Sequence, residues 1–148
     1  MKKLEFKIEI SSPQEKVWKT MLDHPTYEQW VAAGWPGSSY KGNWKQGETI
    51  DFVGPDGGGG TQARMNEVTP YEFVDAEHVA VINKDGSLDK ESDVAKGWIG
   101  TRESYRFKPT KNGTELTVEI TTAEAWEKMF ADGWPAALKK LKELSEKK

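Results

Sequence analysis

The 148-residue chain, 30% charged and 36% hydrophobic, fits one domain (residues 1–148) with a core of its own, neither disordered nor fibrous. A net charge of −3 argues against nucleic acid as the main partner, because neutralising phosphates takes a dominant Lys/Arg surface. The absence of cysteine removes disulfides, thiolate catalysis and cysteine-type zinc sites, and no apolar run approaches the roughly 18 residues of a membrane span. The opening MKKLEFKIEI alternates apolar and charged residues where a signal segment would be continuously apolar, so the cytoplasm is the expected location.

Leu4, Phe6, Ile8 and Ile10 recur at period two, which predicts a first strand with one wet face. Ser11-Ser12-Pro13 stops it. Ser12 as N-cap, Pro13 at the first helical position and Glu15 at N3 spell a capping box. The helix that follows carries Val17, Trp18, Met21 and Leu22 on one face and ends before Pro25. A second short helix over residues 26–32 presents Tyr27, Trp30 and Val31. The Gly/Pro/Ser-rich GWPGSSYKGNWKQGE reads as a loop with an irregular strand near residues 39–44. Residues 49–53 form a strand with Ile50 and Phe52 on one face. Pro55-Asp56-Gly57 then supplies turn chemistry. Strands are expected over residues 61–68 and 71–82, with Thr69-Pro70 between them, and residues 83–95 read as a polar exposed loop. Residues 98–107 and 115–121 form a hairpin around Pro109 to Gly113, where Asn112-Gly113 is a strong turn dipeptide.

Residues 122–148 carry Trp126, Met129, Phe130, Ala137, Leu138, Leu141 and Leu144 at spacings of three and four, the stripe of one amphipathic helix. Some 24 helical residues span roughly 36 Å, about the width of a small domain. Thr121 or Thr122 is the expected cap. Within it, Asp132-Gly133-Trp134-Pro135 predicts either a kink or two segments, since an interior Pro removes a backbone hydrogen bond and costs about 3 kcal/mol. The order β-α-α, six strands, α, with short connections, predicts an α+β fold: a curled antiparallel sheet covered on its concave face by the last helix.

The opening FKIEISSPQEKVWKTMLD, the strand NGTELTVEIT and the ending GWPAALKKLKEL resemble the helix-grip fold of the START-like (SRPBCC) superfamily, and more closely the heat-shock-protein ATPase activator homologues. The similarity runs over nearly the whole chain and rests on structural motifs, none of them a catalytic signature. It implies a hydrophobic ligand held between sheet and C-terminal helix; a minority of the superfamily are enzymes such as cyclases and aromatases.

Seven tryptophans are many for this length, and three of them, Trp30, Trp35 and Trp44, crowd one irregular stretch. They read either as an aromatic wall at a cavity mouth or as packing where regular structure is scarce. The Gly57 to Gly60 run lacks the following helix and the Gly-Lys-Ser/Thr ending of a phosphate loop. Asp85, Ser87 and Asp89 mimic a calcium loop, but Lys90 and Lys96 occupy its obligatory Gly and Glu. Of the two histidines, His24 reads as surface and His78 as inward, sharing parity with Val74, Ala76, Ala80 and Ile82; such an inward histidine is more often a hydrogen-bonded core residue than a base. On the 98–107 strand, either Glu103 and Tyr105 or Arg102 faces the interior.

These readings make Trp30, Trp35, Phe52, Met65, His78, Glu103, Tyr105, Trp126, Phe130 and Trp134 the cavity candidates, with no metal and no cofactor implied. The leading expectation is a small lipid-like or polyketide-like ligand, hydrophobic or aromatic, bound by a monomer or weak dimer. A cyclase or hydrolase using His78, Glu103 or Arg102 comes second. A chaperone partner, whose ATPase the protein would stimulate, comes third.

Overall fold

The computed structural model describes residues 2–55 and 59–147. Asp56 and Gly57 of the expected Pro55-Asp56-Gly57 turn, and Gly57 and Gly58 of the Gly57 to Gly60 run, lie outside them. The elements are β1 (Lys2–Ile10), α1 (Gln14–Leu22), α2 (His24–Val31), β2 (Ser39–Gly42), β3 (Thr49–Val53), β4 (Gly60–Thr69), β5 (Phe73–Ile82), β6 (Leu88–Asp89), α3 (Asp93–Trp98), β7 (Arg102–Thr110), β8 (Gly113–Thr122) and α4 (Glu127–Glu146). The fold is α+β, of the helix-grip kind. One antiparallel sheet runs β1-β8-β7-β5-β4-β3-β2, with β6 paired to the end of β5. The long C-terminal helix α4 packs against β1, α1 and α2, so the three helices share the concave face. Between them lies the core of Val17, Met21, Trp30, Ile50, Met65, Phe107, Leu116 and Leu141. No helix among the described residues is long and apolar enough to cross a membrane.

Local chemistry departs from expectation in several places. The capping box does not form: Pro13 holds the N-cap position of α1 without a side-chain bond. Ser12 is instead buried, its carbonyl accepting the Thr114 hydroxyl at 2.8 Å, which ties the strand end to β8. Neither Thr121 nor Thr122 caps α4. The Thr121 hydroxyl accepts the Arg102 backbone N–H at 2.7 Å, the Thr122 hydroxyl donates to the Ala123 carbonyl, and a single 3-10 turn, Glu124–Trp126, leads into the helix. The 83–95 segment is not a featureless loop, for it contains β6 and the start of α3. Its polar residues are the local ties: Asp89 accepts from the Ser92 hydroxyl, and the Ser92 oxygen caps the Ala95 N–H at 3.1 Å.

Residues 98–101 are not strand. Trp98 closes α3, and Gly100 at φ 89° turns the chain before β7, a conformation open chiefly to glycine. The hairpin loop is Lys111-Asn112, inside the expected Pro109 to Gly113 turn, and the strands run further into that turn than expected, pairing as far as Thr110 and Gly113.

The shared parity of His78 with Ala80 and Ile82 is also overturned. Register slips between Gln62 and Ala63, leaving Val79 without a partner, so Ala63 faces His78 while Gln62 faces Ala80. This β-bulge sends the two sides of Val79 to opposite faces of the sheet. Ala80 and Ile82 are buried apart from the main core, on the strand against which α3 packs.

Helix α4 runs unbroken through Pro135. Pro135 sits on its exposed face, as does Ala131, so the carbonyl that loses its partner meets solvent. The neighbouring Gly133 is buried for a different reason: a Cβ there would come within 2.5 Å of the Trp35 ring.

Candidate functional site

Three structural choices open a cavity of about 270 Å³ under the middle of α4. Helix α2 directs Tyr27 and Trp30 inward. The loop after it lays Trp35 on Gly133. The bulge at Val79 and the turn at Gly100 leave His78 and Trp98 facing the same space. Phe52 of β3, Glu103 and Tyr105 of β7, and Phe130 and Trp134 of α4 complete the walls. Trp35 stands edge-on to Trp134 with ring centres 5.4 Å apart, Trp98 to Phe130 at 5.9 Å, and Trp98 to His78 at 5.3 Å. Half-buried Ser38, Val53, Gly54 and Thr61, with Met129 exposed at 37%, ring the mouth.

Eight of the ten candidates read from the sequence therefore line one space: Trp30, Trp35, Phe52, His78, Glu103, Tyr105, Phe130 and Trp134. Two do not. Met65 is wholly buried in the core, and Trp126 packs on Trp98 at 5.6 Å outside the cavity. Trp126 belongs to the 3-10 turn, so the helical stripe drawn through it does not apply. Tyr27 and Trp98 were missed. Tyr27 lies one turn before Val31 on the stripe of α2, a signal that was available; Trp98 was hidden by the strand reading of its segment.

The open question about β7 is resolved in favour of Glu103, Tyr105 and Phe107. Arg102 lies on the outer face, paired with Asp75. Tyr105 donates its hydroxyl to the Glu103 carboxylate at 2.8 Å. Burial pushes the Glu103 carboxyl up to about 7, and the Tyr105 bond opposes that shift. Burial likewise raises the phenols of Tyr105 and Tyr27, with the Glu103 charge adding to both. His78 is lowered to about 4 by burial alone, so it is neutral at physiological pH.

His78 departs from the hydrogen-bonded core histidine that was expected: its Nδ1 finds no partner among the described residues, and neither does Nε1 of Trp134. Trp30, by contrast, donates its indole N–H to the Met21 carbonyl at 3.0 Å and is held as a fixed wall. His24 is exposed, stacked on Tyr40 with ring centres 4.0 Å apart. No group of three or more His, Asp and Glu capable of holding a metal occurs among the described residues.

The chemistry on offer is an apolar aromatic box, a carboxyl that exchanges its proton near neutrality, and two unpartnered ring nitrogens. A buried polar group without a partner costs about 1–3 kcal/mol, so these atoms favour a guest that can bond to them.

A family model described as "Activator of Hsp90 ATPase homolog 1-like protein" matches residues 11–146. Among curated proteins none matches the chain. Among solved structures, a Mesorhizobium loti protein is 18% identical, covering 97% of this chain and 96% of its own, with a TM-score of 0.75. A Chromobacterium violaceum protein is 19% identical over 99% and 98%, with a TM-score of 0.73. The structure titled as the Aha1 dimer from Colwellia psychrerythraea is 19% identical over 99% and 97%, with a TM-score of 0.72. At these identities the likeness to solved structures speaks for the fold.

Proposed function

The chain belongs to the family of Activator of Hsp90 ATPase homolog 1-like proteins, and we propose that it is a single-domain cytoplasmic binding protein for a small, largely aromatic ligand. The observation that carries this reading is the convergence of eight aromatic side chains and His78, drawn from α2, its following loop, β3, β5, α3, β7 and α4, on one space of about 270 Å³. Pockets for small molecules are concave, mostly apolar and furnished with a few polar groups, and this one sits at the small end of their size range. Aromatic side chains that merely filled a core would leave no such space, because protein interiors pack about as densely as organic crystals.

Native mass spectrometry of the purified protein is the first test, with a co-purifying small molecule expected. NMR titration with indole follows, expected to shift the Trp134 and Trp98 side-chain resonances. Thr61→Phe, which fills the mouth, is expected to abolish those shifts while leaving the fold intact. Indole that leaves the cavity resonances unmoved overturns the reading.

The family's description favours a second reading, stimulation of a chaperone ATPase. A rise in Hsp90 ATPase rate on addition of this protein, unaffected by Thr61→Phe, would support it. The dimer named for the Colwellia protein makes sedimentation a useful companion measurement, with a monomer or weak dimer expected here.

A further inference from the structure

We infer that the cavity is a cage for an organic ammonium ion, with Glu103 as its counter-charge and the faces of Trp35, Trp98, Phe130 and Trp134 around the cation. The inference rests on the binding reading above and names the class of ligand.

Among the described residues, Glu103 is the only acidic or basic side chain of the lining, apart from neutral His78, and no lysine or arginine contributes. Every arginine of the chain is turned away from the cavity: Arg102 pairs with Asp75, Arg64 lies 3.6 Å from Glu77, and Arg106 covers Phe73 at 4.5 Å. Among the described residues the Glu103 carboxylate has one partner, the Tyr105 hydroxyl at 2.8 Å. Its remaining lone pairs open on the cavity. A carboxylate so placed is unfavourable until a cation or a proton meets it. Burial raises its pKa to about 7, which is the same imbalance seen from the solvent side.

The surrounding rings complete the argument. Indole and benzene faces are negative at their centres and attract an ammonium, more strongly where water is excluded. Trp35 with Trp134 and Trp98 with Phe130 meet in crossed planes, so the rings bordering the space differ in orientation. The free indole N–H of Trp134 then takes an acceptor oxygen elsewhere on the same ligand, and Nδ1 of His78 a hydrogen-bonding group. Among the described residues, the titratable groups facing the cavity with Glu103 are Tyr105 of the same strand, Tyr27 of α2 and His78 of β5, and none supplies a positive charge at neutral pH.

Isothermal titration at pH 8 with phenethylamine, a cation, and 2-phenylethanol, its neutral analogue, tests this. Phenethylamine is expected to bind at least tenfold more tightly. Its affinity should fall as pH drops below 7, where Glu103 must lose a proton to receive it. At pH 7 about half a proton should be released per amine bound, read from heats in two buffers of different ionisation enthalpy. Glu103→Gln should remove the preference and the proton release while 2-phenylethanol still binds, which also reports that the variant is folded. Equal or tighter binding of the alcohol, or a preference that survives in Glu103→Gln, overturns the cage and leaves the aromatic cavity standing. If neither probe binds, the cage falls, and the binding reading is decided separately by the indole titration. The comparison of the two probes in the unaltered protein decides the matter even if the variant does not fold.

Discussion

The indole of Trp35 lies on the bare backbone of Gly133, where an added Cβ would stand 2.5 Å from Cζ2 of the ring. On the other side, a Cβ at Gly34 would come within 2.6 Å of the Gly133 carbonyl oxygen. Two glycines thus let the loop after α2 press directly on α4, and the ring they admit is a cavity wall. The helix-weakening glycine in α4 is the seat of that wall.

Gly133→Ala should therefore destabilise the protein despite its better helix propensity. Alanine gains about 1 kcal/mol in a helix interior, whereas overpacking costs about 1–3 kcal/mol. A net loss of up to about 2 kcal/mol in urea denaturation is expected, with a red-shifted tryptophan emission as Trp35 is displaced. Unchanged stability and emission would show that the loop yields freely.

Pro135→Ala should behave in the opposite way. Pro135 is exposed, lies outside the cavity and interrupts no packed contact of the buried face. Restoring the hydrogen bond to the Ala131 carbonyl is expected to stabilise the protein by about 1–2 kcal/mol, less than the full propensity difference because that carbonyl is already solvated. Affinity for indole should not change. A weaker ligand complex would show that the proline shapes the cavity after all.

Stability should respond to pH through two opposed groups. Glu103 is raised from 4.5 to about 7, so the folded state binds a proton more readily than the unfolded one. That contribution is present below about pH 4.5 and is lost as pH rises towards 7, by up to about 3 kcal/mol. His78 is lowered from 6.5 to about 4, so its contribution is present above 6.5 and is lost as pH falls towards 4. Between about 4.5 and 6.5 the two slopes cancel and the wild-type curve is expected to be nearly flat. Glu103→Gln should gain about 1–3 kcal/mol at pH 8 and little at pH 4.5, leaving the His78 slope uncovered. Urea midpoints at pH 4.5, 6 and 8 check this, and a variant curve parallel to that of the wild type would contradict it.

Arg102→Ala tests the facing of β7. The pair with Asp75 lies on the outer surface, where the Arg102 side chain is 51% exposed. Such pairs contribute about 0–1 kcal/mol. A loss below about 1 kcal/mol with unchanged indole affinity is expected, and a large drop in affinity would place Arg102 at the ligand.

The patterns of Leu4 to Ile10, of the final helix and of the Thr49–Val53 strand were legible because one face of each element is buried and the period repeats it. Residues 83–101 were not, because α3 is short, its cap is a single Ser, and one glycine at positive φ ends what alternation alone reads as strand. The bulge at Val79 was equally hidden. It reverses facing midway along β5 without breaking the alternation of buried residues, since Ala80 and Ile82 are buried on the other side.

By itself, then, the amino-acid order determined the periodic elements, the fold class and which aromatic residues were available, since these follow from side-chain polarity at fixed spacing. Only the tertiary structure decided which of them share a space. It put Trp98 and Tyr27 in and Met65 and Trp126 out, turned Glu103 inward and Arg102 outward, and made Gly133 a seat for Trp35. The physical reason is that facing depends on register, bulges and close backbone approach. Those are set by pairing between segments far apart in the chain, where local periodicity carries no information.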